Sequence, residues 1–497
     1  MNFSNQLWGI ITILLAAGLF WFSYSSAKKG NYTLSISLIF LAGLILRLFA
    51  GMDFFLHPWD ERYHALVAKN LLQHIFVPTL YEHPLFDFDL KDWKNNHIWI
   101  HKPPITLWLI MVSLKIFGVN EIAVRLPSIL LSSLGIFLTY YIGKEFFKEK
   151  VGLLAAFFYA TNGFLIELAT GRRPTDHPEI LFVFFVELGI FLSVYYLKHR
   201  SFFVITLVGI ATGCALLTKW LPGLIIVGIL FLLLIQQESW KQVIGKCAVV
   251  MLIAGILVVP WQVYIFSAFP REAAWENYFN YRHMFEPLEG HDGTVFYHIA
   301  FMPRFFGELI YIPIIMFFYR FFKKQFSTAT VVLVFWFALP YLFFSFVATK
   351  MPGYVMISAP AIFIMLSWAF WTVKENLENS SFRSLKIIFL VLLLLLPIRN
   401  AKDRIGPFGK SDRNYHWAAR LRELNSQVPQ SKAVVFNVEH YIEAMFYCNF
   451  TAYPFIPSKE QIQLAVERGC SVYIFDDPSI TSEIRNNKNI SVIKNGN

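Results

Sequence analysis

Apolar runs closed by short polar turns recur along the chain, near residues 7–26, 33–51, 103–118, 124–143, 151–170, 178–197, 202–218, 221–236, 246–266, 298–319, 328–348, 353–373 and 384–398. The runs do not alternate apolar with polar, so they read as helices and not as barrel strands. Most approach the roughly 20 residues that a helix needs to cross a bilayer. After residue 400 the pattern changes. Trp417, Leu421 and Leu424 mark one face of a helix, and Ala433–Phe436 (AVVF) reads as a buried strand. Ser458 and Gln461 form a capping-box pattern before a helix that Gly469 ends, and Ser471–Phe475 (SVYIF) is a second strand. The pattern predicts an all-α polytopic membrane protein of about twelve to thirteen helices. Residues 1–399 form its membrane domain, and a small α/β domain covers 400–497.

Composition agrees with this reading. The 497 residues are 56% hydrophobic and only 15% charged, with a mean hydropathy of +0.51. That excludes a soluble globular enzyme and a disordered chain. The net charge of +10 does not imply nucleic acid, because the basic residues gather in short loops between apolar runs. The four cysteines show no metal-binding spacing. Cys448 and Cys470 could pair only if the tail lies outside the cytosol. The first residues, MNFSNQ, lack the basic stretch of a cleaved signal.

Loop charges orient the spans. Lys28 and Lys29, the Lys144–Lys150 cluster, Lys198 with Arg200, Lys241 with Lys246, Arg320 with Lys323 and Lys324, and Lys374 with Arg383 belong inside. They agree only if 103–118 does not cross. That segment is short, opens with Pro103-Pro104 and carries Lys115, so it reads as an interfacial helix. About twelve spans follow. The loop 52–123, the loop 267–297 and the tail then lie outside.

Several polar residues on that outer face need a reason. Asp60 and Glu61 follow the second span directly and open a short amphipathic helix, where Asp60 could act as its N-cap. Lys102 precedes a helix amino terminus, where a cation is disfavoured unless it snorkels or meets an anion. Arg172, Arg173 and Asp176 share one outer loop; the arginines suit a phosphate or a local salt bridge. Lys219 and Lys350 each end a span at the same face. Basic residues gathered there point to an anion site. The loop 267–297 adds Arg282, His283, His291 and Asp292, of which His291 and Asp292 are candidate ligands for a divalent cation.

HPWDERYHALVAKNL, IHKPPITLWLIMVSLKIFGVNEIAVRLPS, GRRPTDHPEILFVFF, LTKWLPG, and ATKMPGY followed by APAIF occur in this order. Together they resemble the lipid A 4-amino-4-deoxy-L-arabinose transferases and the bacterial relatives of the protein O-mannosyltransferases, both of the GT-C fold. The likeness covers roughly residues 50–370. It implies an active-site acid at Asp60, a second at Asp176, and phosphate-binding lysines at Lys102 and Lys219. It also matches Tyr354 and His283 to substrate-contacting positions. Three departures touch the substrate subsites: His101 where Glu is common, Trp220 where Gly is common, and the placement of Arg62 and Tyr63.

The expected function is that of an integral membrane glycosyltransferase. It would move a sugar from a polyprenyl (undecaprenyl) phosphate donor to lipid A or another cell-envelope glycan or protein, with inversion. Asp60 and Asp176 would be catalytic. Lys102, Lys219, Arg62, Arg172 and Arg173 would hold the donor phosphate. Glu61, His101, His283, Lys350 and Tyr354 would contact substrate. No cofactor is required, with room left for a divalent metal. A lipid-linked polysaccharide ligase or polymerase is the alternative. A transporter or flippase would place charges at helix midpoints and show paired repeats.

Overall fold

The computed structural model describes residues 2–323, 327–377, 382–404, 413–428 and 432–493; Lys324 lies outside them. Among the described residues, eight helices are long and apolar enough to cross a membrane: Asn5–Lys28, Tyr32–Ala50, Glu121–Phe146, Asp176–His199, Phe202–Lys219, Trp240–Ala268, Thr328–Phe346 and Pro352–Glu375. Two broken pairs make ten if each crosses once: Glu149–Thr161 with Gly163–Ala169, bent by 56°, and Tyr297–Phe306 with Tyr311–Phe322, bent by 114°.

Backbone breaks that a hydropathy run hides account for the difference from about twelve. Asn162 interrupts the run at 151–170. Its side chain accepts from the Leu165 N–H at 3.0 Å and donates to the Phe305 carbonyl at 2.7 Å. Such an amide lets a helix stop and restart in apolar surroundings without orphaned backbone groups. Gly307, at φ +91°, breaks the run at 298–319. Leu221–Leu234 is a shorter apolar helix whose first turn, Leu221–Leu224, is a 3-10 turn containing Pro222. The run at 384–398 lies in the helix Arg383–Arg404, which continues past the compositional edge at 399.

The helix Pro104–Phe117 is too short to cross a bilayer, as its sequence predicts. It buries Leu107, Ile110, Met111 and Leu114 and exposes Val112, Ile116 and Phe117. Within the bundle, close approach sets the packing. A Cβ on Gly152 would lie 2.3 Å from the Tyr140 carbonyl oxygen, so only glycine lets Glu149–Thr161 seat against Glu121–Phe146.

The tail is a four-stranded parallel sheet. Its strands are β1 (Ala433–Phe436), β2 (Thr451–Ala452), β3 (Ser471–Phe475) and β4 (Ile490–Ile493), in the order β2-β1-β3-β4. Val434 pairs with Val472, and Val472 with Ile490. Parallel strands need crossovers. The helices Tyr441–Tyr447, Lys459–Glu467 and Ser482–Arg485 supply them. The Ser458–Gln461 capping box forms as predicted, and Gly469 stops its helix at φ +75°. Cys448 and Cys470 are both free, so no disulfide joins them.

This sheet domain does not stand apart. Val434, Phe436, Ile442 and Phe446 share one core with Leu56, Tyr63, Leu66, Leu80, Trp99 and Leu107 of the first outer loop and the helix after it. Polar contacts reinforce it. Lys69 Nζ donates to the carbonyls of Met445 at 2.7 Å and Cys448 at 2.6 Å. Tyr447 OH donates to Glu121 at 2.6 Å. The loop 52–102 and the tail are thus one body on one side of the helices.

Candidate active site

Beneath the helix Asp60–Asn70 lies a buried ionic network. Glu61 is fully buried and accepts from Arg125 at 2.7 and 2.9 Å, and from the His57 backbone N–H at 2.6 Å. Gly171, at φ +74°, passes so close that a Cβ there would lie 2.0 Å from Glu61 Oε1. Asp53 accepts from His57 at 2.9 Å, from Arg413 at 2.7 Å and from Arg172. Arg125 also donates to the carbonyls of Gly51, Asp53 and Phe55. Burial alone would raise the Glu61 carboxyl, but Arg125 and His57 hold it well below its usual range. The network fixes where the second span ends and where the Asp60 helix begins.

Five expected binding residues are corrected by these contacts. Glu61 is enclosed by Arg125 and His57 and cannot reach a substrate. Arg172 is spent on Asp53, and Arg173 makes a bidentate pair with Glu167 at 3.0 and 3.1 Å. The local salt bridge is therefore what that arginine pair forms. Arg62 points to the sheet domain, 3.4 Å from Glu443. Lys350 is buried and donates to the carbonyls of Phe344 and Ser345 at 3.0 and 2.6 Å, capping the end of Thr328–Phe346.

The remaining residues converge. Asp60 is not the N-cap; Trp59 holds that place, at φ +76°, and offers no side-chain cap bond. The Asp60 carboxylate instead accepts from the Thr175 backbone N–H at 2.6 Å, which joins two motifs 115 residues apart. Asp176 opens the next helix and accepts from the His177 N–H at 2.5 Å, with His64 Nδ1 at 3.1 Å. Lys219 pairs with Glu179 and sits 4.1 Å from the centre of the Tyr354 ring. Gly353 brings Tyr354 to this place, since a Cβ there would press on Thr175 and Glu179 at 3.0 to 3.2 Å.

Backbone strain collects at the same spot. Trp59, Thr175 and Trp220, next to Asp60, Asp176 and Lys219, all have positive φ, at 76°, 65° and 65°. Each costs about 1–3 kcal/mol and persists only where its surroundings over-determine it. Among the described residues, the buried atoms Thr175 Oγ1, Asp176 Oδ2, Glu179 Oε2 and His64 Nε2 have no hydrogen-bond partner. Unsatisfied buried polar atoms are uncommon in folded chains. Four within one neighbourhood mark a polar ligand site.

Burial works to raise the half-buried Asp60 carboxyl, but Lys102 foremost, then His64 and the Thr175 N–H, holds it below its usual range. It is a carboxylate at neutral pH. Burial pushes His64 down to about 4, with Asp60 opposing, so His64 is neutral. His283 is likewise pushed down to about 4 by burial, then by Lys102 and His101, and lies 3.0 Å from Thr349 Oγ1. His101 stacks on Trp93 with centroids 4.6 Å apart and contacts Lys102 and Glu276. Lys102 acts electrostatically on Asp60, and Lys219 is acted on by both.

Among the described residues no three His, Cys, Asp or Glu side chains gather as a metal site. Among the described residues His291 and Asp292 thus have no third such side chain beside them. The sequence reading missed Asp53, His57, His64, Arg125, His177, Glu179 and Glu276. Some signal was present. Asp60 and His64 are four apart on one helix face, and His57 stands four residues before Glu61, just ahead of that helix. Arg125 is a charge inside an apolar run. Glu276 carried no such mark.

Known proteins share this architecture. The family described as Dolichyl-phosphate-mannose-protein mannosyltransferase matches residues 101–264. A protein of Aquifex aeolicus without an assigned activity is 28% identical over 348 residues, covering 68% of this chain and 63% of that one. The undecaprenyl phosphate-alpha-4-amino-4-deoxy-L-arabinose arabinosyl transferase of Pseudomonas paraeruginosa is 23% identical over 326 residues, covering 61% of this chain and 56% of that one. The chain thus spans less than two thirds of these relatives' own length. ArnT from Cupriavidus metallidurans bound to undecaprenyl phosphate superimposes with a TM-score of 0.58 at 15% identity, over 89% of this chain and 88% of that one. The oligosaccharyltransferase AglB of Archaeoglobus fulgidus, in complex with a peptide and a dolichol-phosphate, gives 0.55 at 13% identity, over 84% and 64%. The chain is thus a multi-pass membrane protein that shares the fold of ArnT and AglB and is similar in sequence to the aminoarabinose transferases and, over residues 101–264, to the protein mannosyltransferases.

Proposed function

We propose that the chain transfers a sugar from a polyprenyl phosphate, undecaprenyl phosphate in a bacterial inner membrane, to an acceptor on the periplasmic side. The observation that carries this reading is the Asp60 carboxylate, bonded to the Thr175 N–H beside Asp176 and subject to the charge of Lys102, with Lys219 in turn subject to both. As the bond from the anomeric carbon to the phosphate oxygen breaks, negative charge grows on the phosphate. The two lysines stabilise it. The acceptor oxygen attacks the opposite face of the anomeric carbon, which inverts it. Asp60, held ionised by Lys102, takes the acceptor proton, or orients the nucleophile when the acceptor is itself a phosphate, as on lipid A. Asp176, joined to His64, is the second acid of the site. Tyr354 holds Lys219 in place through its ring face. The likeness to aminoarabinose transferases favours lipid A as acceptor, and that to the mannosyltransferases favours a protein.

A flippase would carry its ionisable groups at helix midpoints. Glu187, buried in the middle of Asp176–His199 and bonded to Thr139, is such a group. It lies more than two helical turns from Asp176 and outside the cluster of orphaned atoms, and it acts as an interhelical hydrogen bond. The test is incubation of the purified, detergent-solubilised protein with polyprenyl-phosphate sugars and a panel of lipid A, glycan and peptide acceptors, with products identified by mass spectrometry. A new glycosylated acceptor is expected. Movement of the lipid across a vesicle without any sugar transfer would overturn the reading.

A further inference from the structure

The helix Pro270–Phe285 in the loop 267–297 exposes even Tyr278, Tyr281 and Phe285 and buries only Ala273 and Glu276 among its residues. A carboxylate as one of two buried residues on an exposed helix needs a partner or a task. Its partner is His101: Glu276 Oε2 lies 3.1 Å from His101 Nδ1. The other ring nitrogen, Nε2, lies 3.3 Å from Lys102 Nζ. An ammonium can only donate, so Nε2 must be the accepting, unprotonated nitrogen. The imidazole is then neutral and carries its proton on Nδ1, which donates to Glu276. Trp93 stacks flat on the ring, with an interplanar angle of 2°, and Trp99 and Phe279 close its edges, so the ring cannot turn.

We infer that Glu276 is a positioning residue: through the fixed tautomer of His101 it orients the Lys102 ammonium toward the phosphate of the lipid donor. This deepens the proposed transfer and rests on it. His101, expected to contact substrate, is instead the middle member of a relay. The large outer loop, through Glu276, thereby sets the charge that meets the donor.

The test measures binding of undecaprenyl phosphate to the full-length protein in detergent, together with KM and kcat for sugar transfer. Glu276→Leu leaves Nδ1 without an acceptor and should weaken binding and raise KM roughly tenfold, the effect of one charged hydrogen bond misdirected, with kcat changed less. Glu276→Gln, whose amide oxygen still accepts from Nδ1, should stay closer to wild type. In a Lys102→Ala background Glu276→Leu should add nothing, because the two act in series. His101→Gln, whose amide donates to Glu276 and accepts from Lys102, should retain binding, whereas His101→Leu should lose it as Glu276→Leu does. Wild-type affinity in Glu276→Leu, additivity with Lys102→Ala, or equal losses in His101→Gln and His101→Leu would each overturn the relay. Absence of undecaprenyl phosphate binding by the wild-type protein would overturn the donor reading as well, so the two failures are distinct. Should Glu276→Leu fail to fold, the comparison of His101→Gln with His101→Leu decides alone.

Discussion

The Thr175 backbone N–H donates to the Asp60 carboxylate at 2.6 Å, and Thr175 holds a left-handed backbone, φ +65°, to do so. The first outer loop and the loop before the helix Asp176–His199 meet through this bond. Asp60→Asn keeps the volume and an accepting oxygen. Transfer should nevertheless fall by roughly a hundred- to ten-thousandfold, the range for loss of a general base, with an unchanged melting temperature. Asp176→Asn in the same assay ranks the two acids. Wild-type turnover in Asp60→Asn would remove Asp60 from the chemistry.

Lys102→Ala and Lys219→Ala should each lower kcat/KM by roughly ten- to a hundredfold, or about 1.5–3 kcal/mol per charged hydrogen bond. Tyr354 refines this. Tyr354→Phe keeps the ring under Lys219 and should be near neutral. Tyr354→Leu removes the ring face and should cost about 0.5–2 kcal/mol in transition-state binding. Steady-state kinetics of the four variants checks the order.

The arginines separate into brace and surface. Arg172→Ala strips a partner from the buried Asp53 and should destabilise by about 3–5 kcal/mol, without a specific change in KM. Arg173 is exposed, and Arg173→Ala should fall within about 0.5 kcal/mol of wild type. Thermal melts in detergent, alongside donor titrations, distinguish these outcomes from a phosphate-binding role.

Acidification should act through the same brace. Burial would raise the Asp53 carboxyl, but His57, Arg172 and Arg125 hold it below its usual range. A depressed carboxylate contributes stability above its unfolded value of about 3.9, lost as pH falls through the folded one. Melting temperature should therefore drop as pH falls below about 4, and Asp53→Asn should flatten that drop while starting lower. A variant with the wild-type pH slope would show that Asp53 is not the group responsible.

Cysteines placed at Asn95 and Glu460, both exposed, report topology. The first outer loop and the sheet domain share a core, so both sites should react with an impermeant thiol reagent added outside intact cells. Labelling of both only after permeabilisation would invert the assigned orientation.

Local pattern is enough to read the membrane class, the short helix Pro104–Phe117 and, in the tail, the helices His416–Gln427 and Lys459–Glu467 with strands β1 and β3; β2, β4 and the helices Tyr441–Tyr447 and Ser482–Arg485 escape it. The legible elements depend on hydrophobic periodicity, capping residues and loop charge, which act over a few neighbouring residues. Local pattern also placed Asp60, Asp176, Lys102 and Lys219 among the candidates, because charges at membrane edges are conspicuous against an apolar background. Tertiary structure alone decided which charges are free. Arg172, Arg173, Arg62, Lys350 and Glu61 look the same in sequence as Lys102 and Lys219. The fold sets them against Asp53, Glu167, Glu443, backbone carbonyls and Arg125, whereas Lys219 meets Glu179 beside Tyr354 and Lys102 meets His101. It alone set the helix breaks at Asn162 and Gly307, the strained turns at Trp59, Thr175 and Trp220, and the meeting of Glu276 with His101. An ionic group in low dielectric is defined by what pairs with it, and pairing is a property of the folded chain.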